Sequence, residues 1–191
     1  LVAIYHVLFL QRYFGESLSF ARQAGLDPDA QAEAVTDGSF EKGFGVSPDS
    51  RFGWQIVRAD PRVDVSADAK VKRDGNRSAR MNFRNSIKPD FYNLTQTVAV
   101  VSNARYRLRF WVRTENLKSA GMPLISIVNA NDDKPVVSSK PFDSGTIDWQ
   151  EVMIEFTAPT NCSGINLRTV RLGCGEECPI TGTLWYDDFR L

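Results

Sequence analysis

The chain has one histidine, His6, among its 191 residues. A single imidazole cannot supply both a zinc site and a proton relay, and no Ser-His or Cys-His arrangement can be built from the residues that follow it. Excess charge is also missing: 23 basic residues balance 23 acidic ones. No Lys/Arg block is long enough to track a phosphate backbone, so nucleic acid is excluded as a partner. Long apolar runs are lacking too. The opening "LVAIYHVLFL" stops at Gln11 and Arg12, well short of the roughly 20 residues that cross a bilayer, so this fragment has no membrane span. With no leading Met, it reads as part of a longer protein.

Cysteine is scarce as well: Cys162, Cys174 and Cys178. The segment "SGINLRTVRLG" between the first two reads as a strand, which at about 3.3 Å per residue holds them roughly 30 Å apart. A disulfide needs Cα atoms within about 7 Å. Cys174 and Cys178, bracketing "GEE", are therefore the one plausible pair; the alternative is three reduced thiols. A bridge there favours an oxidising compartment, extracellular or periplasmic.

What remains is ordinary in bulk, 42% hydrophobic and 24% charged, and suits one main domain with a small appendage. The N-terminus differs from the rest. "LVAIYHVLFLQRYF" and "ESLSFARQAG" place apolar residues at helical spacing, divide at Gly15 and stop at "GLDP"; this predicts a helical hairpin and linker over residues 1–36. The ending "ARQAGLDP" resembles the tail of a tetratricopeptide-type repeat, which implies a protein partner or further repeats upstream. A helical cap packed on the main domain explains the same residues. From Phe40 onward short β-rich runs recur: "FGWQIVR", "SARMNFR", "YNLTQTVAVV", "RYRLRFWVRT", "PLISIVNA", "WQEVMIEFTAP", "GINLRTVRL" and "TLWYDDFRL". "RDGNRS", "NANDDKP" and "DSGTID" punctuate them. No helical pattern interrupts the series, so the expectation is a mainly β, antiparallel sandwich of eight or more strands.

The order of "DGSFE", "FGW", "DGNRSAR", "LTQTVAV", "ARYRLRFWVRT", the lone Trp149 and the closing "GTLWYDDFRL" resembles the galactose-binding-like jelly roll of many carbohydrate-binding modules in bacterial enzymes. The resemblance covers residues 37–191. It implies a β-sandwich jelly roll, a non-catalytic accessory role and a glycan or polysaccharide as candidate ligand.

The last stretch poses a problem of its own. Strand alternation groups Asp187 with Trp185, Phe189 and Leu191, and a buried carboxylate needs a compensating partner. In modules of this kind a structural calcium often supplies it. The resemblance then implies ligands from Glu41, the carbonyl of Ser39, the loop at Asp74 to Ser78, and Asp187; oxygen donors of this sort suit calcium. An arginine or a set of backbone donors would satisfy Asp187 equally well.

For ligand binding, "ARYRLRFWVRT" is the most informative strand. Tyr106, Leu108, Phe110 and Val112 form a core face, and Arg107, Arg109, Trp111 and Arg113 fall on the other. Sugars stack their C–H faces on aromatic rings and give hydroxyls to charged or amide groups. Trp111 with Arg107, Arg109 and Arg80 is thus a candidate platform, suited to acidic polysaccharide, with Trp54 and Tyr92 as further candidates near loops. The structural alternative is an arginine stacked on Trp111 and cross-strand ion pairs to Glu151 and Glu155. No feature sets a carboxylate pair at a catalytic separation, so the expectation is a binding module of a larger exported or envelope protein, or else a structural module that caps a helical repeat array.

Overall fold

Alternation of apolar and polar residues in this chain produces ten strands, seen in a computed structural model that describes residues 34–44, 52–57, 60–87 and 94–191. They are β1 (Gln55–Ile56), β2 (Val63–Asp68), β3 (Ser78–Ser86), β4 (Leu94–Ala99) and β5 (Arg105–Ser119), then β6 (Pro123–Asn129), β7 (Pro135–Ser138), β8 (Gly145–Thr157), β9 (Gly164–Arg171) and β10 (Ile180–Arg190). Two five-stranded sheets result, ordered β1-β4-β9-β6-β7 and β2-β3-β10-β5-β8. Neighbouring strands are antiparallel, so the expected sandwich is present. The N-terminal helical hairpin and Tyr92 lie outside the described residues. Among those described, no helix is long and apolar enough to cross a membrane.

Two strands had not been read from the sequence. β2, "VDVSAD", buries Val63 and Val65 and turns Asp64 and Ser66 outward; it is half-buried on a sheet edge, and its two valines are its whole apolar signal. β7 is only "PVVS" and follows directly on a turn cluster. Pro135 is tolerated there because β7 is an edge strand and one missing N–H breaks no interior ladder.

The core lies between the two inner faces. Ala79, Met81 and Phe83 of β3, Leu108, Phe110 and Val112 of β5, and Leu184 and Tyr186 of β10 meet Leu94 and Val98, Ile125 and Ile127, and Ile165 and Leu167 from the other sheet. Each large apolar side chain removed from water contributes about 1.5–3 kcal/mol. Phe110 stacks on Phe189 at 4.7 Å between ring centroids, with Tyr186 and Phe142 edge-on to Phe110.

The closing strand departs from simple alternation. Asp187 pairs with Trp111, but the next pairing is Arg190 with Arg109. β10 thus holds one extra residue, at Asp188, whose φ is 53°. This β-bulge returns Phe189 to the core side after Asp187 has pointed away. The expected grouping of Asp187 with Phe189 is therefore corrected: Trp185 and Asp187 belong to the outer face of β10 and Phe189 to the inner.

Tyr186 is fully buried, and its hydroxyl has no partner among the described residues. Burial pushes its pKa well up. Tyr186→Phe removes this desolvated hydroxyl while keeping the ring, and is expected to raise stability by about 1 kcal/mol in urea melts; a loss of that size would show that the hydroxyl is satisfied.

Candidate functional site

Asp187 is completely buried although it leaves the core side of β10. The loop between β2 and β3 covers it. Its Oδ2 accepts hydrogen bonds from the backbone N–H groups of Arg73 at 2.7 Å and Asp74 at 3.1 Å, and Oδ1 accepts one from Asp188 at 2.8 Å. Burial raises the Asp187 pKa, the three backbone donors oppose this, and the neighbouring Asp188 charge adds to the rise. Glu41 holds the same loop from its other end. Its Oε1 accepts from the backbone N–H of Asn76 at 2.7 Å and Arg77 at 3.1 Å, and its Oε2 from Asn76 Nδ2 at 3.0 Å. These bonds lower its pKa, that to the Asn76 backbone most. Gly75 permits the turn at φ 56°, and a Cβ there would stand 2.3 Å from Glu41 Oε1.

Four of the five loop amides from 73 to 77 are thus capped by two carboxylates. The groups that face those carboxylates are N–H donors, the opposite polarity to the oxygen shell that calcium requires. Asp74 itself is exposed and Ser39 sits half-buried in the turn before Phe40. Among the described residues no three acidic, histidine or cysteine side chains gather at one point. The backbone donors supply compensation for the buried Asp187, one of the alternatives the sequence offered; calcium held by Ser39, Glu41, Asp74 and Asp187 stays an expectation for experiment to test.

The Trp111 face is closed by the same loop. The Arg73 guanidinium lies over the Trp111 ring, 4.4 Å from its centroid, and Trp185 donates from Nε1 to Asp68 at 3.0 Å. The arginines beside Trp111 meet acids on adjacent strands. Arg107 pairs with Glu155 at 2.6 Å, Arg109 with Glu151 at 3.9 Å, Arg113 with Asp148 at 3.1 Å and Arg80 with Asp64 at 3.7 Å. Such exposed pairs add little stability, but they cancel the positive field that an acidic polysaccharide would need. Trp54 is 3% exposed, packed against Phe40 and Phe189, with its Nε1 donating to the Asp37 carbonyl at 3.1 Å. Its ring is a core element, because the chain from Val35 to Phe44 folds back over the end of β10. Among the described residues, the large hydrophobic side chains that stand exposed are Val101, Met153 and Leu172, none of them aromatic. A depression of about 300 Å³ opens beside β8 near Phe142, Met153, Lys140 and Glu151; it contains none of the residues expected to bind ligand.

The sheet opposite offers a different surface. Gln55 pairs with Thr95, Thr95 with Arg168, Arg168 with Ser126 and Ser126 with Ser138. Directly paired residues project to one side. A polar row consequently crosses all five strands on the outer face, a span of roughly 19 Å at the normal strand spacing. Next to it Thr97 donates to Asn166 Oδ1 at 2.7 Å, and Arg168 donates to Asp133 at 2.6 Å. Leu124 and Val170, paired across β6 and β9, give an apolar floor on the other side. Every residue of β6 is buried, Ser126 with 9% of its surface exposed, so the groups placed to take successive hydroxyls of an extended ligand are those of Gln55, Thr95, Arg168 and Ser138 with Thr97 and Asn166. Sequence reading missed this face because its residues come from five strands in the order β1, β4, β9, β6, β7, and only the register brings them into line.

Cys174 and Cys178 are joined in a disulfide with Cα atoms 5.3 Å apart, while Cys162 is free and buried. Of the strand acids, Glu151 and Glu155 are held by arginines, Asp188 by Arg190 at 2.7 Å, and Asp187 by backbone amides.

The architecture is that of a mainly β, antiparallel jelly-roll sandwich similar to several distinct carbohydrate-binding modules. A family 4 carbohydrate-binding module matches at 15% identity with a TM-score of 0.57, over 81% of this chain and 96% of that one. The module TmCBM61, solved in complex with β-1,4-galactotriose, matches at 14% identity with a TM-score of 0.53, over 84% and 97%. The enzymatically active domain of tailspike protein 4 from bacteriophage CBA120 matches at 14% identity with a TM-score of 0.57, over 83% of this chain and 21% of that one. No protein-family model matches the sequence, and neither does any curated protein. At these identities the likeness is one of fold.

Proposed function

We propose that residues 37–191 form a non-catalytic, glycan-binding module of a larger exported or envelope protein, and that the glycan lies along the outer face of the β1-β4-β9-β6-β7 sheet. The observation that carries this reading is the row Gln55, Thr95, Arg168 and Ser138, aligned through the buried Ser126, with Thr97 and Asn166 beside it. The likeness in fold to carbohydrate-binding modules supports it, and the Cys174–Cys178 bridge suits an extracellular or periplasmic setting. Because Arg168 is already paired with Asp133, the face suits a neutral polysaccharide better than an acidic one. A glycan array read at low and high salt tests this. Binding of a neutral oligosaccharide, changed less than about twofold by salt, is the expected outcome; binding confined to acidic glycans and lost in salt contradicts it.

A second reading, a structural module that caps a helical repeat array through the N-terminal segment, is favoured by a different observation. Trp111 is roofed by Arg73 and the arginines near it are ion-paired. An array without hits, together with association through residues 1–36, would favour that role.

A further inference from the structure

We propose that the Cys174–Cys178 disulfide is a site of reversible thiol exchange, in which a small thiol or protein dithiol attacks Cys174 and Cys178 leaves as a thiolate stabilised by Arg171. This goes beyond the glycan-binding reading and does not depend on it.

Arg171 ends β9 with 7% of its surface exposed. Its Nη2 donates to the Cys178 carbonyl at 2.6 Å, to Ser119 Oγ at 2.8 Å and to the Cys178 sulfur at 3.3 Å, and its Nε donates to the Gly121 carbonyl at 3.1 Å. Burial lowers its pKa, but a guanidinium remains protonated in proteins. A buried cation therefore already touches the sulfur on which negative charge would develop. The backbone fixes this contact. The Cys178 N–H donates to the Ile87 carbonyl at 2.9 Å, and Gly121 is so close that a Cβ there would stand 2.6 Å from the Cys178 sulfur.

The two sulfurs are unequal in access. Cys178 is fully buried, whereas Cys174 is half-buried and flanked by exposed Gly173, Gly175, Glu176 and Glu177. Exchange requires a thiolate to reach one sulfur while the other departs, and a leaving thiol of low pKa departs faster. Both conditions assign attack to Cys174 and departure to Cys178. In the first step a sulfur–sulfur bond forms between the attacking thiolate and Cys174, the Cys174–Cys178 bond breaks, and its electron pair stays on Cys178. In the second step another thiolate attacks the mixed disulfide and releases Cys174. Two external thiols are oxidised to one disulfide and the protein disulfide is reduced to two thiols.

Equilibration of the full chain with reduced and oxidised glutathione, read by alkylation and mass spectrometry, tests the assignment. Arg171→Met should make the bridge about tenfold harder to reduce, since a charge-assisted hydrogen bond to the thiolate is lost, and Arg171→Lys should recover part of that. A folded Arg171→Met protein whose equilibrium matches the parent within twofold would overturn the proposal. Should Arg171→Met fail to fold, Cys174→Ser keeps the question open to test. Titrated by thiolate absorbance against the Cys174→Ser/Cys178→Ser double variant, Cys178 should ionise below the ordinary thiol range near 8.5, and ionisation at or above that range would refute the role of Arg171.

Discussion

Asp187→Ala is expected to lower the free energy of unfolding by about 3 kcal/mol, because three backbone N–H groups lose their acceptor at about 1 kcal/mol each. The groups concerned belong to Arg73, Asp74 and Asp188. Loss of the first two frees the loop whose Arg73 roofs Trp111, so tryptophan fluorescence should shift toward that of a wetter ring in the same variant. Urea melts that differ by less than about 0.5 kcal/mol, the size of a neutral surface change, would show that the loop is held elsewhere. Acid should not mimic the mutation. The Asp187 pKa is raised by burial, so the folded state takes up this proton before the unfolded state does, and the linked contribution favours folding at low pH and fades as pH rises through the raised value. The same melts with and without chelator test the calcium expected at Glu41 and Asp187: an unchanged melt shows that the amide donors alone compensate the carboxylate, and a lowered one shows that a cation contributes.

Acid sensitivity belongs instead to Asp60. This carboxyl is 3% exposed and accepts from the Arg62 backbone N–H at 2.9 Å, from Arg62 Nε and Nη2 at 3.1 and 3.2 Å, and from Ser86 Oγ at 2.7 Å. Burial alone would push its pKa up, but the Arg62 and Ser86 bonds and the Arg62 charge together bring it down from 3.8 to about 2. A depressed carboxylate contributes stability that is complete above its unfolded pKa and is lost as pH falls through the folded value. The shift corresponds to about 2 kcal/mol at neutral pH, with the 40% exposure of the Arg62 side chain arguing against a larger figure. Asp60→Asn should cost about that much at pH 7, and the difference from the parent should shrink as pH falls toward the folded value of about 2 and vanish below it. A difference that persists unchanged at low pH would place the effect in packing and not in the charge.

Much of the sandwich was legible because its long strands alternate cleanly. Leu108, Phe110 and Val112 turn inward on β5 as the sequence pattern requires, and the register Arg107 to Glu155 realises the ion pairs foreseen as the alternative to a sugar platform. β7 was hidden by its length of four residues, and the bulge at Asp188 by the fact that a positive φ at an aspartate leaves no period for alternation to reveal. Pairwise alternation also could not expose the clamp on the β2–β3 loop. Its donors are main-chain amides, which every residue but proline carries, so nothing in "KRDGNRS" distinguishes a loop that donates N–H groups from one that offers carbonyls to a cation. The polar row on the opposite sheet is legible only once strand order is known, since Gln55 and Ser138 stand far apart in the chain yet end one line.

The proposed glycan contact falls on that row and not on Trp111. Isothermal titration of a neutral oligosaccharide identified on the array, into the parent protein and three folded variants, separates the two faces. Asn166→Ala and Arg168→Ala are each expected to weaken binding at least about tenfold, the loss of one good polar contact, while Trp111→Ala leaves affinity within twofold of the parent. Affinity abolished by Trp111→Ala and untouched by Asn166→Ala and Arg168→Ala would contradict the account and return the binding site to the arginine-flanked face.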